Sequence, residues 1–206
     1  MSGITEFTGA VLMALLMVGC SPKGEEAIQP TTFAECLELA KKGRTEAQYN
    51  VAVMYLAGKE VAQDDKSAAV WLAKAAAQGD AEAQYNLGVL YSQGRGVEQS
   101  DIWSLKMYRQ AASNGHVEAQ HNLGVAYFMG KGTARDVKEA VIWFRRAAEQ
   151  GDRKSQCMLA DCLYAGSGVK ADREEAISWY RKSAEQGSAT ARERLAALRR
   201  TEIPTK

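Results

Sequence analysis

Proline is almost absent, with three residues in a chain of 206. Proline breaks helix interiors, so long stretches are left free to run as helix. Charge of one sign is also lacking: 26 Lys and Arg face 25 Asp and Glu, a formal net charge of +1. Binding nucleic acid needs a concentrated basic face, so nucleic acid is excluded as the main partner. No apolar run reaches the roughly 20 residues of a membrane-spanning helix. The four cysteines, Cys20, Cys36, Cys157 and Cys162, form no C-x-x-C pair. Cys157 and Cys162 are five apart, which on a helix points them about 140° apart and disfavours a bond between them. Cys36, Cys157 and Cys162 read as small buried apolar side chains. There are two histidines, His116 and His121, and they lack the H-E-x-x-H spacing of a zinc protease. What the chain does have is 46% hydrophobic residues, which excludes wholesale disorder.

The amino terminus stands apart. Gly9 to Cys20, "GAVLMALLMVGC", is apolar and uncharged, with the length of a signal-peptide core. Its end, Met17-Val18-Gly19-Cys20, resembles the lipobox of bacterial lipoproteins. That resemblance implies cleavage before Cys20, lipid attachment at Cys20, and a place in the cell envelope. Ser21 after the cysteine resembles lipoproteins sent to the outer membrane, facing the periplasm. Met17 stands where leucine is usual, and the segment before the run carries Glu6 and no Lys or Arg. Residues 21–31 have Pro, Gly and charge without an apolar period and read as a tether.

The rest is periodic. Gly43, Gly79, Gly115, Gly151 and Gly187 are each 36 apart, as are Gly58, Gly94, Gly130 and Gly166. Trp71, Met107, Trp143 and Trp179 follow the same spacing. Four units, 43–186, need no gap. Residues 32–42 read as an amino-terminal capping helix and 187–206 as a carboxy-terminal capping helix and tail. A period of this size marks a solenoid. Each unit holds two helical stripes, for instance Ala83, Leu87, Gly88 and Tyr91, then Ser104, Met107, Tyr108, Ala111 and Ala112. Gly94 is placed to end the first helix in the left-handed conformation. Ser100 is placed to cap the second, and Asp136 with Glu139 and Asp172 with Glu175 read as capping boxes. Asp80, Asp152 and Ser188 are placed to cap the next first helix. Gly88, Gly124 and the alanine pairs at 75/76, 111/112 and 147/148 allow close helix approach, with Trp71, Trp143 and Trp179 filling between layers.

The recurring A-x-x-x-L-G-x-x-Y-x-x-G-x-G, then D, then A-x-x-W-x-x-x-A-A-x-x-G, resembles the Sel-one-like repeat, a relative of the tetratricopeptide repeat. Ala119, Leu123, Gly124, Tyr127, Gly130, Gly132, Asp136, Ala140, Trp143, Ala147, Ala148 and Gly151 carry it in the third unit. Unit 1 departs at Glu60 and Val51-Ala52, unit 2 at Met107, and unit 4 at Ala160 and Leu163; these departures are expected to loosen the end units. The resemblance implies an all-α, right-handed α-α superhelix of helix-turn-helix repeats, and an adaptor that holds other proteins.

Helical phase selects the surface. On each first helix the face opposite its packed stripe carries Glu46, Tyr49, Val53 and Leu56; Glu82, Tyr85, Val89 and Ser92; Glu118, His121, Val125 and Phe128; and Lys154, Cys157, Asp161 and Tyr164. This face is apolar and aromatic with charge on one margin. It either lines a concave groove for a protein or peptide, or packs on neighbouring first helices. Gln48, Gln84, Gln120 and Gln156 recur in every unit, and Asn50, Asn86 and Asn122 in three, which favours hydrogen bonds between layers over ligand contacts.

No catalytic set stands out. Ser167-Gly168-Val169-Lys170 matches Ser-x-x-Lys, but falls in an inter-helix loop and lacks the companion motifs of a β-lactamase. Met129 to Thr133 lacks P-loop spacing. His121 and Cys157 occupy equivalent positions in adjacent units without further ligands. The expectation is a non-enzymatic scaffold with no cofactor and no metal. The alternatives are a repeat-fold envelope hydrolase resting on Ser167, or a structural protein that self-assembles through its end repeats. The arginines of the last helix, 192, 194, 199 and 200, read as a solvated cap.

Overall fold

The structure is a computed structural model and describes residues 32–201. The leader, its Cys20 and the tether lie outside the described residues. The helices are α1 (Phe33–Lys41), α2 (Thr45–Ala57), α3 (Asp65–Ala77), α4 (Ala81–Gln93), α5 (Asp101–Ser113), α6 (Val117–Met129), α7 (Val137–Glu149), α8 (Arg153–Ala165), α9 (Arg173–Glu185) and α10 (Ala189–Thr201). No strand occurs among the described residues. The principal contacts join helices consecutive in the chain. The units therefore stack as a solenoid whose stability is a sum of neighbouring interfaces.

The punctuation follows local chemistry. The first helices α2, α4, α6 and α8 end on Gly58, Gly94, Gly130 and Gly166 in the left-handed conformation. The second helices begin on Asp64, Ser100, Asp136 and Asp172, whose side chains accept N–H groups of the first turn. Asp136 and Asp172 cap without a reciprocal partner; at Asp172 the Glu175 carboxylate turns to Arg145 and Trp179 instead. The reciprocal box forms instead at Thr32 and Glu35. Asp80, Asp152 and Ser188 cap the following first helices as the pattern predicts. In unit 3 that role falls to His116, whose Nδ1 accepts the Ala119 N–H at 3.2 Å.

Joints between units press backbone on backbone. A Cβ on Gly96, Gly132 or Gly168 would stand 2.1, 2.3 or 2.5 Å from the carbonyl oxygen of Asp65, Asp101 or Val137 at the start of the preceding second helix. In unit 1 this place belongs to Glu60, at φ 61°. There α1 has 9 residues where its counterparts have 13. The Glu60 Oε2 accepts the Phe33 N–H at the start of α1 at 2.7 Å. The departure at 60 thus caps the first turn of α1.

The core turns on a column the periodic pattern leaves unremarked. Leu72, Phe144 and Tyr180 are all but fully buried and Tyr108 nearly so. Opposite them stand Ala52, Gly124, Ala160 and Gly88. A Cβ on Gly88 would lie 2.8 Å from the Tyr108 ring, and one on Gly124 2.6 Å from the Phe144 ring. The tryptophans do less of the filling than expected. Trp179 is buried, but Trp71 and Trp143 are half-buried. The outer side of each of the three carries a cation three residues on, Lys74, Arg146 or Lys182.

The recurring glutamines are structural. Gln48, Gln84, Gln120 and Gln156 are buried and donate to the carbonyls of Ala40, Ala76, Ala112 and Ala148 at 3.1–3.2 Å. Each accepts in turn from the amide ending its own unit's second helix: Gln78, Asn114, Gln150 or Gln186. This ladder satisfies buried polar groups at every layer.

Candidate functional site

The first-helix face divides into two parts. Over units 1–3 its middle is spent on packing between units. Tyr49 accepts from the Asn86 amide of the next unit at 3.3 Å, and Asn122 stands in the same relation to Tyr85. Burial pushes both phenols up to about 12. Tyr85 stacks on His116 with centroids 4.4 Å apart. His116 Nε2 lies 3.3 Å from Glu82 of the preceding unit, and its Nδ1 lies 3.5 Å from Glu118. With Nδ1 occupied by the Ala119 N–H, the neutral ring carries its proton on Nε2, facing Glu82. That contact holds the Glu82 carboxyl below its ordinary range. His121 Nδ1 lies 2.8 Å from Ser155 Oγ and 3.5 Å from Asp152, across the next joint. Burial lowers its pKa. Val53 is buried, and Val89 and Val125 are half-buried. Glu46, Glu82 and Glu118 stay exposed along one margin.

The second part opens into a groove. Phe128, Asp161 and Tyr164 line a cavity of about 570 Å³, together with Met158, Arg194 and Leu198. Its origin is legible in the columns of the repeat. The position that holds Val53, Val89 and Val125 becomes Asp161 in α8 and Ala197 in α10, and the lost volume leaves a gap between those helices. The carboxylate is held in place: the Tyr180 hydroxyl donates to Asp161 Oδ1 at 2.6 Å, and Arg194 Nε approaches the same oxygen at 3.3 Å. Burial, and then that bond, hold the Tyr180 proton firmly. Phe128 and Tyr164 present their rings with Arg135 and Arg173 over them.

The groove's wall includes one thiol, Cys162, and one loop hydroxyl, Ser167. Burial pushes the Cys162 thiol up to about 11, far from the thiolate a nucleophile needs. Cys36, Cys157 and Cys162 are buried thiols outside any disulfide. Ser167 lies in the loop after α8, its N–H bonded to Cys162 O at 2.9 Å, and Lys170 lies beyond it in the same loop. Among the described residues no group of three or more His, Cys, Asp or Glu is placed to hold a metal ion.

A stack of helix hairpins with one broad apolar face is an α-solenoid of repeats. The chain belongs to the Sel1 repeat family, whose model matches residues 45–80, 81–116, 117–152 and 153–188. These are the same 36-residue units counted from the first residue of each first helix. No curated protein matches the chain. Among solved structures it is similar to a protective antigen of uropathogenic Escherichia coli strains displaying an SLR fold, at 37% identity and TM-score 0.79, covering 82% of this chain and 36% of that one. It is also similar to a Sel1 repeat protein from Oxalobacter formigenes, at 31% identity and TM-score 0.73, covering 81% and 68%. Helicobacter pylori cysteine rich protein B shares the fold at 18% identity and TM-score 0.50, covering 60% and 91%. The chain thus spans little more than a third of the Escherichia coli antigen. Sel1 repeat proteins generally serve as protein-interaction scaffolds, and such scaffolds are typically not enzymes.

Proposed function

We propose that this chain is an adaptor of the bacterial cell envelope, anchored by lipid at Cys20, that holds a protein or peptide segment on its first-helix face. The observation that carries the reading is the groove at Phe128, Asp161 and Tyr164. It is a concave, mostly apolar space with one fixed carboxylate, the usual make-up of a binding site. The envelope placement rests on the lipobox-like end at Met17–Cys20. No described helix is long and apolar enough to cross a membrane; attachment in this reading is through the lipid.

The test separates the two faces. Phe128→Ala combined with Tyr164→Ala is expected to abolish capture of the partner in the native bacterium and leave helical circular dichroism intact. Val70→Ala with Ile142→Ala, exposed positions on second helices, is expected to leave capture unchanged. Retained capture by the first pair contradicts the assignment. Cys20→Ser is expected to release the protein from the membrane fraction.

A further inference from the structure

We infer that the groove holds an amphipathic segment with a large apolar anchor and basic residues along the edge that extends over α6 and α4. This rests on the adaptor reading and adds the chemistry of what is held. Helices α2, α4 and α6 carry one acidic residue each, Glu46, Glu82 and Glu118, and not one lysine or arginine. Glu82 and Glu118 are 60% and 65% exposed. The helix dipole favours an acid in a first turn, which explains the three glutamates but not the absence of every cation from the other positions. The cations of these units stand on the second helices and loops: Lys66, Lys74, Lys106, Arg109, Lys138, Arg145 and Arg146 among them. Cations are therefore kept off the first helices of units 1–3, while the second helices and loops mix both signs, with Asp65, Asp101, Glu139 and Glu149 among the acids; the first-helix face of these units is net negative.

The segregation ends at the fourth unit. Lys154 takes the glutamate position in α8, and Arg194 stands at the groove paired with Asp161. Basic residues of a partner are thus favoured on one side of the anchor only, toward the amino-terminal units. The dimensions agree. Glu118 begins α6 and Phe128 lies near its end, about 15 Å apart along the axis. A partner helix is about 10 Å across. Lying over the face with its apolar stripe in the groove, it brings a flanking row of lysines or arginines toward the glutamate margin. Complementary charge of this kind sets specificity and association rate, while the apolar anchor supplies the affinity.

The test uses fluorescein-labelled peptides of about 15 residues, long enough for a groove-bound helix. One is built of leucine and lysine in amphipathic order, one has glutamate for lysine, and one has serine for leucine. Fluorescence anisotropy with the purified full-length protein is expected to show the leucine–lysine peptide binding about ten-fold or more tighter than either control. Ala197→Trp fills the groove from an exposed position, so it is expected to lower that affinity about ten-fold with unchanged circular dichroism. Glu82→Gln with Glu118→Gln is expected to lower it several-fold and flatten its salt dependence. Equal binding of the lysine and glutamate peptides overturns the inference. So does equal binding to wild type and Ala197→Trp, and so does binding of none of the peptides. A native partner that cross-links to this face through an acidic segment sinks the inference and leaves the adaptor reading standing.

Discussion

Gly124 and Phe144 offer the sharpest test of the packing. A Cβ on Gly124 would stand 2.6 and 2.7 Å from two ring carbons of Phe144, and 3.3 Å from the Ala140 carbonyl oxygen. Carbon atoms in good contact sit about 3.5 Å or more apart, so the ring must retreat by about 1 Å. It has nowhere to go: Phe144 is fully buried, with His121 and Phe128 on its other sides. Overpacking costs about 1–3 kcal/mol, and a ring with no room to retreat falls in the upper part of that range, about 2–3 kcal/mol. Replacing glycine by alanine inside a helix returns about 1 kcal/mol. Gly124→Ala is therefore expected to lose about 1–2 kcal/mol net. With Phe144→Leu the obstacle is gone, and the pair becomes the alanine–leucine pair that unit 1 already uses at Ala52 and Leu72. In that background Gly124→Ala is expected to stabilise by about 1 kcal/mol, a coupling of about 2–3 kcal/mol between the two sites. Urea unfolding of the four proteins, followed by far-ultraviolet circular dichroism, measures each corner of the cycle. Gly124→Ala that is neutral or stabilising with Phe144 in place, or equally costly in both backgrounds, refutes the reasoning.

Other consequences follow from the same contacts. Gln120→Ala removes the bonds to Ala112 O and Gln150 Nε2 in a buried layer and is expected to cost about 1–3 kcal/mol in urea unfolding. His121 has its pKa lowered by burial, so below about pH 6.5 the unfolded chain takes up the proton before the folded one does. Its contribution is thus complete above the unfolded pKa and is lost as pH falls toward the folded value. His121→Gln is expected to flatten that part of the stability curve, read as urea midpoints between about pH 7.5 and pH 5. Glu60→Ala strips the cap from the Phe33 N–H and is expected to cost α1 about 1 kcal/mol. The effect should appear as faster amide exchange confined to that helix, and uniform acceleration across the array would contradict a local role.

Much of this architecture was readable because a repeat states each rule several times. The glycines at 79, 115 and 151 have φ of 91°, 88° and 96°, and each N–H bonds the carbonyl three residues back at 3.0–3.1 Å. One local instruction produces one local geometry. The glutamine column was read correctly as structural for the same reason. What periodicity concealed was the work of positions that vary within a column. His116 stands in a column with Asp80, Asp152 and Ser188, and its shared capping role was visible only by treating an imidazole nitrogen as one more acceptor. Glu60 looked like a defect because its use depends on α1 starting one turn late, a fact of the neighbouring helix.

The candidate face shows the same limit. Tyr49, Tyr85 and His121 stand in its columns, yet helical phase does not tell a residue that faces a ligand from one that faces the next first helix. Asn86, Asn122 and Ser155 were the missing partners. Phe128, Asp161 and Tyr164 were named from the same columns and do meet at the groove. The signal for the groove itself was the shrinking column of Val53, Val89, Val125, Asp161 and Ala197, carried into the last helix and read there as volume. Met158, Tyr180 and Leu198 complete the wall from helices whose approach only the fold reveals.

The central claim is that the first-helix face, at its groove, is where a protein partner sits. Site-specific photo-crosslinking in the native bacterium tests it directly, with a photoreactive phenylalanine placed at Tyr164 in one strain and at Ile142, on α7, in another. The account predicts one discrete crosslinked species from position 164 and none from 142. Crosslinks of equal yield at both positions, or at 142 alone, would contradict it.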